Sequence, residues 1–228
     1  MSQLKLQNVT KTYKVGDESL VVARDVSLDI QRGDFISIVG HSGSGKTTLL
    51  SLIGGITTPT SGAIYFEDMD LSAMGSDGLS EYRCRKIGFM FQFASLLPML
   101  TIKENLLLPT IFVPAAERTA APKLEQKAAE LLHSVGLADK INAFPGQLSG
   151  GQQRRVAIAR SFMNNPKLIL ADEPTGDLDE ETEQEMINFF KSMNQTEGIT
   201  FVMVTHNTEL ARQTQRRLKM HQGSLQTL

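Results

Sequence analysis

The sequence predicts an α/β fold built around a mostly parallel sheet. Three short, nearly continuous apolar runs carry that reading: Phe35-Ile36-Ser37-Ile38-Val39, Leu168-Ile169-Leu170-Ala171 and Ile199-Thr200-Phe201-Val202-Met203-Val204. Runs of this length and composition are the pattern of strands buried on both faces. Between and beyond them lie stretches with helical spacing: Leu124, Ala128, Leu131, Leu132 and Val135 in one, and Met186, Ile187, Phe190 and Met193 in another. Strands alternating with helices are what parallel pairing requires.

Taken in order, Leu4, Leu6 and Val9 open a half-buried strand pattern, and Val26, Leu28 and Ile30 alternate in a second. Between them lies Lys11-Thr12-Tyr13-Lys14-Val15-Gly16. Tyr13 there is either a ring that stacks on a base or a packed surface aromatic. Gly33 turns the chain into the strand Phe35–Val39. The stretch Gly40-His41-Ser42-Gly43-Ser44-Gly45-Lys46-Thr47 then fits the Walker A pattern, with a strand before it and an apolar helix after it. Glycines let backbone N–H groups turn inward around a phosphate chain, and the helix N-terminus adds partial positive charge. In that pattern Lys46 reaches the β- and γ-phosphates and the Thr47 hydroxyl ligates Mg²⁺.

Gly54-Gly55 ends the helix, and Pro59-Thr60-Ser61-Gly62 turns into a strand, Ala63–Phe66. Gly75–Gly78 reads as a loop. Arg83, Arg85 and Lys86 follow as a basic cluster, either a solvated face or a contact for an acidic partner or lipid. Ile87–Phe91 reads as a strand ending at Gln92. Beyond it, Phe93-Ala94-Ser95-Leu96-Leu97-Pro98-Met99-Leu100 is too apolar for an ordinary exposed loop. It is either core or an apolar groove for a partner's helix.

Val113–Pro122 reads as a loop, and Gly136 closes the helix that follows. Leu148-Ser149-Gly150-Gly151-Gln152 precedes another helix, Gln153–Arg160, giving a second Gly-rich stretch at a helix N-terminus. The strand 168–171 ends in Asp172 and Glu173. Beside a Walker A loop, Asp172 suits the metal shell and Glu173 can polarise a water for in-line attack. Asp179 N-caps the helix carrying Met186. The last central strand presents Thr205 and His206 at the carboxyl edge of the sheet, where ligands bind.

Composition sets outer limits. A net charge of −2 over 228 residues argues against a dedicated nucleic-acid surface. Cys84 is the single cysteine, so no intramolecular disulfide forms and a reducing compartment is expected. The N-terminus shows no signal-peptide core, and no apolar run approaches the ~20 residues of a membrane span.

Walker A at 40–47, Leu148–Gln152 and Leu170-Ala171-Asp172-Glu173-Pro174, in that order, resemble the ATP-binding subunit of an ABC transporter. The LSGGQ stretch is the diagnostic one, and the resemblance covers essentially the whole chain. It implies an α/β fold: a P-loop NTPase core, RecA-like, with an N-terminal antiparallel β-subdomain and an inserted α-helical subdomain. The single domain would run 1–228, with core and β-subdomain at about 1–91 and 153–228 and the helical subdomain at about 92–152.

The resemblance also implies the site. ATP would lie on Gly40, Ser42, Gly43, Ser44, Gly45, Lys46, Thr47 and Thr48, with Tyr13 stacked on adenine. Thr47, Gln92 and Asp172 would surround Mg²⁺, and Gln92 would also sense the γ-phosphate. Lys46, Glu173 and His206 would be catalytic, with Glu173 the base and His206 the switch. Ser149, Gly150, Gly151, Gln152 and Asp179 would act across a head-to-tail homodimer, LSGGQ capping ATP on the other chain's P-loop. An integral membrane subunit would dock near Phe93–Leu100.

Finer features narrow the expectation. Ala171-Asp172-Glu173-Pro174-Thr175-Gly176-Asp177-Leu178-Asp179 is similar to the ADEPTGNLD run of the lipoprotein-releasing and macrolide-exporter group, with Asp177 where asparagine is usual. The expected setting is the cytoplasmic face of a bacterial inner membrane, without nucleic acid. An importer ATPase is a second reading, and a soluble ABC ATPase acting on DNA or ribosomes a third.

Overall fold

The computed structural model describes residues 2–228. Strand β1 (Ser2–Val15) and strand β2 (Glu18–Gln31) form one long antiparallel hairpin. β3 (Phe35–Val39) runs into the Gly-rich loop and α1 (Lys46–Ile53). β4 (Ser61–Phe66), β5 (Met69–Asp70), α2 (Ser76–Lys86) and β6 (Ile87–Met90) follow. Next come α3 (Ile102–Leu107), α4 (Ala121–Ser134) and α5 (Gly150–Ser161), linked by short 3₁₀ turns. The chain closes with β7 (Leu168–Asp172), α6 (Glu180–Glu197), β8 (Thr200–Thr205), α7 (Thr208–Arg212), β9 (Arg216–His221) and β10 (Ser224–Thr227).

Two sheets result. One is antiparallel in the order β2-β1-β4-β5, and the other runs β10-β9-β3-β8-β7-β6. In the second, every pairing except β9 with β10 is parallel. Alternate residues of its central strands serve two cores. Ile36, Ile38, Leu168, Leu170, Val202 and Val204 face the antiparallel sheet and α1. Phe35, Ile169, Ala171, Phe201 and Met203 face the opposite way, onto Val156, Phe190 and the helices around them. Side-chain alternation on strands wanted by both faces is why these segments read as unbroken apolar runs.

The structure corrects several element boundaries. The hairpin strands are far longer than the alternation at 4–9 and 26–30 shows. Register shifts near Val9 and Lys11 break the period, and the outer half is exposed, so no apolar alternation marks it. Ser76-Asp77-Gly78 is the first turn of α2 rather than a loop; only Leu79 and Tyr82 of that helix are buried, too few to announce it.

The segment Phe93–Leu100 is surface rather than core: Phe93 is 74% and Met99 77% exposed. It is nonetheless pinned. Buried Asn105 accepts from the Leu97 N–H (2.8 Å) and donates to the carbonyls of Leu97, Leu100 and Thr101. Arg160 donates to the carbonyls of Ala94 and Ser95. Among the described residues, no helix is long and apolar enough to cross a membrane.

Candidate functional site

The carboxyl ends of β3, β7 and β8 open into a cleft of about 1010 Å³. Crevices of this kind lie outside the strand ends of open α/β sheets. One wall is the loop from Gly40 to Thr48, and the other carries Gln92, Asp172, Glu173 and His206.

The loop is built by close approach. A Cβ on Gly40 would sit 2.4 Å from the Met220 carbonyl oxygen, and one on Gly45 2.2 Å from that of Val22. Gly45 also holds φ +103°, open only to glycine. No side chain caps α1, so its first N–H groups have no side-chain partner. Lys46 Nζ arches over the loop, donating to the carbonyls of Gly40 (2.7 Å) and His41 (3.0 Å). Ser44 Oγ is buried with no hydrogen-bond partner, as expected of a group that meets a ligand.

Asp172 is 5% exposed at the tip of β7. Burial raises its carboxyl above the ordinary range, while the Thr47 hydroxyl and Lys46 pull the other way and Glu173 adds to the rise. A buried carboxylate beside a hydroxyl is a hard oxygen pair, which fits a divalent cation that takes its remaining ligands from phosphate and water. Among the described residues, no cluster of three His, Cys, Asp or Glu forms a metal cage by itself.

Glu173 has φ +46°, a left-handed conformation that costs a non-glycine residue about 1–2 kcal/mol. Its surroundings over-determine that geometry. Its N–H donates to the Val204 carbonyl (3.0 Å), its own carbonyl accepts from Arg154, and its carboxylate accepts from Thr205 Oγ1 (3.0 Å). The other carboxylate oxygen lies 2.8 Å from His206 Nδ1. The carboxylate is thereby held at the cleft, in a position to accept a proton from a water or orient it.

The structure brings together Gly40, Ser42, Gly43, Ser44, Gly45, Lys46, Thr47, Thr48, Gln92, Asp172, Glu173 and His206. It leaves three sets outside that cleft. Tyr13 is not in the lining; its cross-strand partner Leu20 is, and the Tyr13 ring lies under Lys11 Nζ at 4.9 Å. Ser149, Gly150, Gly151 and Gln152 start α5 elsewhere on the surface. Ser149 Oγ accepts from the Gln152 N–H (3.2 Å), and Gln152 Oε1 accepts from the Ser149 N–H (3.0 Å), a closed capping box. Asp179 N-caps α6, accepting from the N–H (3.0 Å) and hydroxyl (2.8 Å) of Thr182, and both bonds hold its carboxyl below the usual range.

Sequence reasoning missed Arg154. Its buried guanidinium donates to the carbonyls of Phe91, Gln92, Asp172, Glu173 and Pro174, joining three segments of the site. The available signal was its place on the apolar stripe of α5, three and four residues before Ala157 and Ile158. It also missed Glu183, which accepts from Thr175 and Asn207 and ties the loops after β7 and β8 together.

A family model described as ABC transporter matches residues 23–176. The chain belongs to the ABC transporter family. This cassette is similar to the macrolide export ATP-binding/permease protein MacB of Rhodopirellula baltica, at 43% identity over 220 residues, 96% of this chain and 32% of that protein. It thus spans about a third of that relative's length. It is equally similar, at 43% over 224 residues, to the uncharacterized ABC transporter ATP-binding protein MJ0796 of Methanocaldococcus jannaschii, covering 98% of this chain and 95% of that one. A dimeric, post-hydrolysis structure of the MJ0796 cassette bound to ADP and Pi superposes with a TM-score of 0.92 at 41% identity, over 99% of this chain and 98% of that one. The antiparallel sheet beside a mostly parallel one is the architecture of these cassettes. The cassette is an ATP-binding, ATP-hydrolysing domain of the family.

Proposed function

We propose that the cassette drives a bacterial inner-membrane complex of the lipoprotein-release or macrolide-export type, closing on ATP as a head-to-tail homodimer and opening on hydrolysis. The observation that carries this is the separation of its two Gly-rich helix starts. The cleft holds Gly40–Thr48, Asp172, Glu173 and His206, whereas Ser149–Gln152 lie outside it, with Ser149 and Gly150 exposed. Two copies related by a twofold axis set each copy's Ser149–Gln152 over its partner's cleft. The dimeric MJ0796 structure supports that reading.

In this reading the loop amides, Ser42, Ser44 and Thr48 cradle the phosphates, and Lys46 turns from its loop carbonyls to the β- and γ-phosphates. Thr47, Asp172 and Gln92 hold Mg²⁺, which neutralises charge on the phosphates when bound. Glu173 orients the attacking water, and His206 meets the γ-phosphate while keeping Glu173 in place. Catalysis is then mainly positioning and preorganised charge. Ser149, Gly150, Gly151, Gln152 and Asp179 complete the site from the second copy. Tyr13 reaches adenine by a movement of the hairpin that carries it. The helical subdomain, about 92–152, presents the exposed Phe93–Leu100 segment to a membrane-spanning partner at the cytoplasmic face.

Glu173→Gln tests the core of this. The variant is expected to lose hydrolysis by roughly 100-fold or more, and to run as a dimer by light scattering only when ATP is present. A monomer with and without ATP counts against the paired site. Pull-down of the ATP-bound variant from solubilised membranes tests the complex: a few-span protein with a large extracytoplasmic domain supports the exporter-type reading, and a many-span permease replaces it with an importer.

A further inference from the structure

At the opposite edge of the parallel sheet, where β7 and β8 begin, a cavity of about 680 Å³ lies between α4, α6 and the turn into β7. Leu131, Phe162, Met193 and Ile199 give it an apolar floor. Lys127 of α4 lines it, half-buried, and its amine donates to the Asn165 side-chain oxygen, a neutral acceptor. Among the described residues, no carboxylate comes within ion-pair distance of that amine.

The charged groups that face it are Lys123 and Glu130 on α4, Glu197 on α6, Lys167 at the start of β7, and Arg32. Lys167 and Arg32 are both paired with Glu67, at 2.8 Å each. Lys123 has no ion pair among the described residues and stands at the rim.

We propose that Lys127 is an acyl-acceptor site, modified on Nζ by small acyl phosphates that enter this cavity. The apolar floor withholds part of the ammonium's hydration, and this partial burial lowers its pKa to about 8 against the opposing influence of Glu197 and Glu130. About a tenth of the amine is therefore neutral at pH 7, far more than for an ordinary lysine, and such depressed lysines act as nucleophiles. The Lys123 ammonium provides the positive charge that receives the anionic end of the donor.

In the reaction the Nζ lone pair attacks the acyl carbon and an N–C bond forms. The C–O bond to phosphorus-bound oxygen breaks, inorganic phosphate leaves with that electron pair, and the surplus amine proton passes to water. The product is a neutral amide. It removes the charge with which α4 holds Asn165, at a joint between the helical insertion and the sheet.

The test is timed acetylation of the full chain with acetyl phosphate at pH 7.5, read by peptide mass spectrometry. Lys127 is expected to be acetylated roughly 10-fold faster than the exposed Lys5 and Lys14, because its neutral fraction is far larger. Equal or slower modification of Lys127 overturns the site. Asn165→Asp keeps the left-handed turn there, which aspartate tolerates (φ +52°), and puts a carboxylate against the amine. It is expected to slow Lys127 acetylation several-fold, and an unchanged rate overturns the argument from the neutral acceptor. Lys123→Gln is expected to slow labelling by acetyl phosphate and spare labelling by neutral N-acetoxysuccinimide. The same effect on both reagents, or on neither, overturns the donor class.

Discussion

The helix starts at Gly45 and Ser149 share a composition and differ in what their glycines are for. At α1, Gly40 and Gly45 are demanded from within: backbone oxygens of Met220 and Val22 stand where their side chains would go, and Gly45 holds φ +103°. At α5, Gly150 has nothing within 4 Å of a would-be Cβ. The first helix start has no side-chain cap, whereas the second is closed by its own Ser149 and Gln152. One Gly-rich stretch is thus a cavity wall finished by its own fold. The other starts on the exposed surface, where a Cβ on Gly150 would meet nothing of its own chain.

That contrast can be broken by substitution. Gly45→Ala is expected to give the largest effect, upwards of ~3 kcal/mol from left-handed strain and overlap with Val22, with loss of ATP binding by calorimetry. Gly150→Ala is expected to leave the melting temperature and single-chain ATP affinity unchanged while weakening ATP-driven dimerisation of the Glu173→Gln protein, measured by light scattering. Equal damage from both would erase the distinction.

Asp172→Asn separates stability from chemistry. Burial raises the Asp172 carboxyl, so its ionised form opposes folding at neutral pH and does so less as pH falls through its raised pKa. Removing the charge is expected to stabilise the fold by roughly 0.5–2 kcal/mol, seen in denaturant titration at pH 7, while hydrolysis is lost. Ser149→Ala opens the capping box of α5 at a cost of about 0.5–2 kcal/mol. Its melting shift should shrink further in Ser149→Asn, which still caps.

The parallel sheet was legible because its strands are buried on both faces, and the cleft because its loop and acids carry chemistry in their residue types. Glu173 and His206 could be named from sequence, but not their mutual contact at 2.8 Å, which depends on β7 and β8 lying side by side. Arg154 was hidden for the opposite reason: beside Arg155, nothing in its type shows that it satisfies five main-chain carbonyls, two of them 62–63 residues upstream and three 18–20 downstream. The outer hairpin and α2 were obscure because neither buries enough apolar surface to leave a period. The cross-strand pairing that sets Leu20 rather than Tyr13 in the cleft lining depends on the hairpin register and is not written in residue type.

The pinning of Phe93–Leu100 has a thermodynamic consequence. An apolar loop free to wander would forfeit about 1–2 kcal/mol per residue of backbone freedom on being covered. Asn105 and Arg160 impose that loss when the chain folds, so Phe93 and Met99 already stand in a fixed arrangement above an ordered base. In the proposed complex, a membrane partner that covers them would gain the release of hydration water with little further ordering. Loosening the base through Asn105 should therefore weaken that contact without touching a single atom of its apolar surface.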